Sequence, residues 1–185
     1  LSAIPTDHHL NMGMLGMHGN YAPNIKTNEC DVLIAVGMRF DDRVTGDVNR
    51  YANQAQIIHI EIDPAEINKN IHADVPVIGD AREVLEDLLP LIDQGDHRKW
   101  VDEFLACRKI EDEQVCLPEL FPKQDGLTMP EIIRQVSEKT GADAVMVSDV
   151  GQHQMAASRY FGFKNTRSNV TSGGLGTMGF ALTAA

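Results

Sequence analysis

The sequence predicts an α/β protein built on parallel, Rossmann-like sheets, with two incomplete α/β units joined by a linker. Three observations predict it. Short apolar runs recur at intervals of about twenty residues, the spacing of βαβ crossovers. Capping-box signatures open helical patterns beside them. Glycine-flanked turns follow the strand ends, the edge at which open parallel sheets bind ligands.

The elements follow in order. Residues 31–37 (DVLIAVG), 56–62 (QIIHIEI) and 75–79 (VPVIG) are the first three strands. The first is nearly continuous Val, Ile and Leu, as expected of a parallel strand covered on both faces. Asp80-Ala-Arg-Glu83 reads as a capping box, leading a helix that buries Val84, Leu88, Leu91 and Ile92. Residues 97–109 continue as a helix with Trp100, Phe104 and Leu105 on one face. From Glu111 to Gly126 the pattern dissolves into acidic and turn residues with Pro118 and Pro122, which marks the boundary. Beyond it, Thr128-Met-Pro-Glu131 caps a helix through Ile132, Ile133 and Val136 that Gly141 ends. Residues 143–148 form a buried strand, GQHQM (151–155) turns into a helix ending near Tyr160, and 169–172 form another strand. The divisions expected are 1–95, a helix and linker over 96–126, and 127–185. The opening Leu1 and the apolar close at 180–185 read as cut ends, so an internal piece of a longer protein is expected.

Composition narrows the function classes. The chain has 185 residues, and a hydrophobic fraction of 43% is enough for a packed core. Sixteen Lys and Arg against 27 Asp and Glu leave a net charge of −11, which argues against nucleic acid and anionic membrane as partners. Three cysteines without CxxC spacing fit free thiols in a reducing compartment, so a cytoplasmic location is expected. The seven histidines show no metal-ligand spacing.

SGGLGTMG (172–179) carries the most chemical information. Four glycines in eight residues let a phosphate or a flat heteroaromatic ring approach the backbone, and Met178 among them suits a ring wedged against a side chain. A tight turn before a helix is the plain alternative. The strand ends add Gly37, Arg39, Asp42 and Arg43 after the first strand, Glu61 and Asp63 after the second, and Gly79 and Asp80 after the third. Glycine permits close approach, arginine suits phosphate, and an acid there can take a ribose hydroxyl. Upstream, Gly16-Met17-His18-Gly19 is one more glycine-flanked turn. Each has a second reading: Asp80 as a helix cap, Arg43 as a surface ion pair, Glu61 as a solvated strand end, His18 as structural. In the second unit, the backbone amides after Asp149, with Gln152 and His153, can hold a diphosphate. No general acid, base or nucleophile is evident.

The blocks GMLGMHG (13–19), AVGMRFDDRVTG (35–46), HIEIDP (59–64), GDAR (79–82), VGQHQM (150–155) and TSGGLGTMGFAL (171–182) resemble acetolactate synthase, a thiamine-diphosphate enzyme of branched-chain amino-acid synthesis. They occur in the family's order and cover nearly the whole chain. The resemblance implies the later part of a central FAD-binding domain, then the start of a thiamine-diphosphate-binding domain. It implies that His18, Gly19, Gly37, Arg39, Glu61, Asp63, Gly79 and Asp80 line a structural FAD. Val150, Gly151, Gln152 and His153 would meet the diphosphate, with Gly176 and Met178 beside the aminopyrimidine and Met178 bending the cofactor. Arg43 would bind the carboxylate of the second 2-keto acid, Asp42 would orient it, and Met17 and Phe40 would line the substrate channel. The implied reaction joins pyruvate, after decarboxylation, to pyruvate or 2-ketobutyrate. The family's catalytic glutamate and its Mg²⁺ motif fall outside these residues, so this piece alone is expected to be inactive. A homodimer or homotetramer is implied, with a regulatory small subunit as a further partner. Ala156 stands where many members have an aromatic residue, and Thr183 where they have proline. The rival readings are a related thiamine-diphosphate carboligase, decarboxylase or oxidase, and a non-catalytic nucleotide-binding module.

Overall fold

A computed structural model describes residues 2–123 and 126–185. The chain forms two compact units. One comprises Leu15–Met17 and Pro23–Asp102; the other comprises Leu1–Met14, His18–Ala22 and Glu103–Ala185. They are called the three-stranded and two-stranded units after their sheets. Both are parallel α/β structures.

In the three-stranded unit, β1 (Val32–Val36), β2 (Gln56–Glu61) and β3 (Val75–Ile78) pair side by side in that order. The register sets Ala35 beside His59 and Pro76, and Val36 beside Ile60 and Val77. Side chains alternate across a strand, so Leu33, Ala35 and Ile57 share one face. That face packs on Phe40, Tyr51, Ala52, Ile71 and Ala73, the core of the unit. The opposite face of β1 differs from expectation. Val32, Ile34 and Val36 are 43, 52 and 41% exposed, so the strand is covered on one side and open on the other. An unbroken apolar run reports what a strand can bury, and here only the Leu33–Ala35 side meets a packed layer.

Helix α1 (Tyr21–Lys26) precedes β1, and α2 (Asp42–Thr45) follows it as a single capped turn. Helix α3 (Ala81–Leu88) starts at Asp80, whose carboxylate accepts the Arg82 and Glu83 amides at 2.9 and 3.3 Å. It is shorter than the apolar spacing predicts. Pro90 lacks the amide that would continue it, so a 3₁₀ turn spans Leu89–Leu91 and leaves Leu91 and Ile92 exposed. Losing a cap of this kind costs about 0.5–2 kcal/mol. Asp80→Ala is therefore expected to lower the denaturation midpoint modestly, with Asp80→Asn recovering most of the loss.

Helix α4 (Arg98–Glu111) runs through the division between the units at Asp102 and Glu103. The expected break at Glu111 is absent. The helix passes into a π turn at Asp112–Cys116 and on through α5 (Leu117–Leu120). Acidic composition alone does not stop a helix, and Pro118 falls in the first turn of α5, where its missing amide costs little.

In the two-stranded unit, α6 (Met129–Lys139) opens at the Thr128 cap and ends before Gly141, whose φ of +61° gives the left-handed turn. Strand β4 (Met146–Ser148) leads to α7 (Gln152–Tyr160), and β5 (Asn169–Thr171) pairs parallel to β4. The glycine-rich turn follows β5 and ends at α8 (Phe180–Ala184). Glu111, almost fully buried, accepts the Tyr21 amide at 3.0 Å and lies 3.5 Å from Arg159. All three cysteines are free. Among the described residues no helix is long and apolar enough to cross a membrane.

Candidate cofactor and substrate sites

The three-stranded unit brings its strand ends together. The Gly37 amide extends the ladder to Ile60 O at 2.9 Å, and the Gly79 amide extends it to Glu61 O at 3.0 Å. Gly37, Glu61 and Gly79 thus leave the sheet side by side at its carboxyl edge. Gly37 has φ +62°, and a Cβ added there meets nothing within 4 Å. That open, left-handed position fits close approach by a large ligand. Glu61 is buried; its Oε1 accepts the Ile62 and Asp63 amides at 2.9 and 3.3 Å. Asp63 caps a 3₁₀ turn through the Ala65 amide at 2.9 Å, and Asp80 caps α3. These acids therefore shape the edge by holding backbone. Arg39 is exposed, with Nη2 3.3 Å from Asp41 and its carbonyl accepting from Asn70 at 3.1 Å.

Met38-Arg39-Phe40 turns sharply because Phe40 has φ +51°. A bulky side chain rarely adopts that conformation, which stores about 1–3 kcal/mol of strain. Packing holds it there. Phe40 is 2% exposed and stands edge-on to Tyr51 and to His59, with ring centroids 6.1 and 5.0 Å away. His59 is fully buried, its Nε2 2.8 Å from Met38 O, a contact in which the ring N–H donates. Phe40, expected at a substrate channel, is buried and anchors the turn.

Anchoring Phe40 inward sends Arg39 and Arg43 outward. Arg43 lies in α2, whose cap is Asp41, accepting the Arg43 amide at 3.1 Å. Its guanidinium is exposed, with Nη1 4.0 Å from the Met17 sulfur. Met17 is 59% exposed and its amide donates to Arg43 O at 2.8 Å. Met17 and Arg43 are thus neighbours. Asp42 makes no side-chain hydrogen bond or ion pair among the described residues, so it does not orient Arg43 in this geometry. Gly16 packs so closely on the backbone of α2 that a Cβ would sit 2.8 Å from Arg43 O and 3.1 Å from Val44 Cα.

His18 and Gly19 belong to the two-stranded unit. Gly19 is buried and its carbonyl accepts Arg159 Nη2 at 2.6 Å, while His18 is partly exposed. In the same unit β4 delivers Asp149, Val150 and then Gly151, whose φ is +148°. That positive φ favours glycine at the turn into α7, where an added Cβ would also press on the His153 ring at 3.1 Å. Gln152 and His153 form the exposed first turn of this nine-residue helix. Their amides and that of Gly151 have no acceptor among the described residues. Three free amides at the positive end of a helix suit a diphosphate. Gln154, in the same motif, turns inward and donates to Thr171 Oγ1 at 2.9 Å, tying α7 to β5.

The glycine-rich turn is ordered around Ser172, whose carbonyl and hydroxyl accept the Gly176 and Thr177 amides at 2.8 and 3.0 Å. Gly174 and Gly176 have open space where a Cβ would be. Met178 is 77% exposed, an apolar side chain held out on a polar turn. Residues and openings here fit a ring and a diphosphate. Asp149, which sequence reasoning did not single out as a site residue, ties the two parts together. The acid immediately before a strand-end Val-Gly was the available signal. Among the described residues no cluster of three His, Cys, Asp or Glu could hold a metal ion.

Parallel strand ends opening on glycine turns, with free amides at a helix head, define a cofactor-binding α/β protein. Comparison with known families specifies the class. Residues 1–88 match the central domain of thiamine pyrophosphate enzymes, and residues 149–185 match their C-terminal TPP binding domain. Over 98% of its length the chain is 44% identical to the probable acetolactate synthase large subunit of Methanocaldococcus jannaschii. It is 43% identical over its whole length to the isozyme 3 large subunit of Escherichia coli, and 42% identical over 99% to the acetolactate synthase of Mycobacterium leprae. The chain belongs to the thiamine pyrophosphate enzyme family, and the relatives it is similar to are acetolactate synthase large subunits. It spans 32, 33 and 30% of the length of these three relatives.

Proposed function

We propose that this chain works as part of an acetolactate synthase, in which two 2-keto acids are joined with loss of carbon dioxide. The observation that carries the reading is the pairing of exposed Arg43 with Met17 in one unit and the free amides of α7 beside an open glycine turn in the other. Thiamine diphosphate, when bound, supplies the electron sink for decarboxylation. Val150, Gly151, Gln152 and His153 hold its diphosphate, Gly176 admits the ring, and Met178 supports it. Mg²⁺ accompanies the diphosphate through ligands other than the described residues. FAD lies along Gly37, Arg39, Glu61, Asp63, Gly79 and Asp80, with His18 and Gly19, and serves structurally. Residues 1–95 form the later part of the FAD-binding domain, 96–126 a helix and linker, and 127–185 the start of the thiamine-diphosphate domain.

Arg43 takes the carboxylate of the acceptor keto acid, a planar group that a guanidinium meets with two parallel hydrogen bonds. Met17 supplies the apolar wall beside it. In this reading pyruvate and 2-ketobutyrate are the acceptors, the subunits assemble as a homodimer or homotetramer with a small subunit as partner, and the enzyme is cytoplasmic. The test is the product formed from pyruvate by the complete enzyme with thiamine diphosphate, Mg²⁺ and FAD. Acetolactate is expected. Acetaldehyde or acetyl phosphate in its place would move the protein to a different thiamine pyrophosphate enzyme.

A further inference from the structure

We infer that Asp149 is a positioning residue: its carboxylate fastens the far end of the glycine-rich turn to the end of β4 and so sets where Met178 stands. The inference rests on the reading of that turn as the thiamine-diphosphate pocket. Both carboxylate oxygens accept the Gly179 amide, at 2.9 and 2.8 Å, and Oδ1 also accepts the Val150 amide at 2.9 Å.

Among the described residues, the bonds to Gly179 are the turn's only hydrogen bonds to a segment distant in sequence. Its remaining hydrogen bonds among the described residues are local: Gly173 N to Thr171 O, Gly176 N to Ser172 O, Thr177 N to Ser172 Oγ, and Thr183 Oγ1 to Gly179 O. With glycines at 173, 174, 176 and 179, and φ of +61° at Gly176 and +81° at Gly179, the turn has little stiffness of its own. Met178 directly precedes the clamped amide, so fixing Gly179 fixes the backbone that carries the methionine. Val150 and the free amides of Gly151, Gln152 and His153 follow Asp149 directly in the chain. One carboxylate therefore sets the spacing between the amides meant for the diphosphate and the side chain meant for the ring.

The Gly179 and Val150 amides hold the Asp149 carboxyl below the usual carboxylate range. A folded-state pKa lowered in this way gives an interaction that is complete above the ordinary carboxylate range. It is lost only as pH falls through the lowered value, so the clamp is fully charged at neutral pH. A charged acceptor also makes the stronger kind of hydrogen bond.

The test uses the complete enzyme and two variants, Asp149→Asn and Asp149→Ala. In cofactor-free wild type, the Gly179 amide is expected to exchange with deuterium more slowly than the Gly174 amide. It should exchange about tenfold faster in Asp149→Ala, with Asp149→Asn between. The Kd for thiamine diphosphate should rise about tenfold in Asp149→Ala and less in Asp149→Asn. KM for pyruvate at saturating cofactor and the denaturation midpoint should hold, which separates positioning from general destabilisation. A wild-type Gly179 amide that exchanges as fast as Gly174 overturns the clamp, and this arm needs no variant to fold. If Asp149→Ala fails to fold, the Asp149→Asn affinity decides. A foldable variant that binds the cofactor as tightly as wild type overturns the positioning role alone. A wild type that takes up no thiamine diphosphate overturns the functional reading instead.

Discussion

Phe40→Ala should destabilise the chain by about 3–5 kcal/mol, the usual cost of emptying a buried aromatic site. The ring is 2% exposed and stands edge-on to Tyr51 and to His59. Alanine would keep the positive φ and its strain while losing the packing that offsets it. Nearby His59 is held at Nε2, by Met38 O and with Glu61 Oε2 4.0 Å away, while its Nδ1 has no hydrogen bond among the described residues. Urea denaturation checks the result, and Phe40→Leu should lose less. A change below about 1 kcal/mol, the level of an ordinary surface substitution, would show that packing does not hold the turn. Keto-acid affinity should fall with it, since Phe40 lies between Arg39 and the Asp41 cap of the Arg43 turn.

Gly16→Ala is the second large effect, and it acts from the opposite side. A Cβ would sit 2.8 Å from Arg43 O and 3.1 Å from Val44 Cα. Both are backbone atoms, so no rotamer change relieves the clash. The φ of +101° adds about 1–3 kcal/mol of conformational strain, and overpacking adds a similar amount. The structure can relax only by separating the 15–17 segment from α2, which breaks the Met17 N–H···Arg43 O bond of 2.8 Å. A shift of about 1 Å in a substrate-positioning group can cost about 100-fold in rate. We expect a lower denaturation midpoint and a kcat/KM for pyruvate reduced at least tenfold, with cofactor affinity nearly unchanged. Wild-type stability in Gly16→Ala would contradict the close approach.

Much of this was legible in the residues, for reasons that differ by element. The three sheet strands could be read because Val, Ile and Leu cluster between turn residues, and the Asp80 and Thr128 caps because one acceptor must sit just ahead of the first free amides. The open face of β1 could not be read, since an apolar run does not reveal whether a layer lies over it. Nor could the continuation of α4 from Glu111 to Leu120: charged residues between Glu111 and Gly126 suit an exposed helix as well as a linker. At the sites, glycine turns marked the strand ends, and the structure leaves open space where a Cβ would be at Gly37, Gly174 and Gly176. Side-chain direction was the missing term. Phe40 turns inward because of a positive φ that its residue type disfavours, and Asp42, though adjacent to Arg43, has no side-chain hydrogen bond or ion pair among the described residues. Gly16 and Asp149 act through backbone atoms distant in sequence, 27 and 30 positions away for the contacts at Arg43 and Gly179, which spacing rules do not reach.

The most direct measurement is acetolactate formation from pyruvate by the complete enzyme, run beside Arg43→Ala and Arg43→Lys. Acetolactate that depends on thiamine diphosphate is expected. The kcat/KM for pyruvate should fall about 10- to 100-fold in Arg43→Ala, the loss of a hydrogen bond to a charged group. Arg43→Lys should fall between, because an ammonium keeps the charge and loses the paired geometry. An Arg43→Ala enzyme that makes acetolactate at the wild-type rate would contradict the assignment of Arg43 to the keto acid. No acetolactate from the wild type would contradict the function itself.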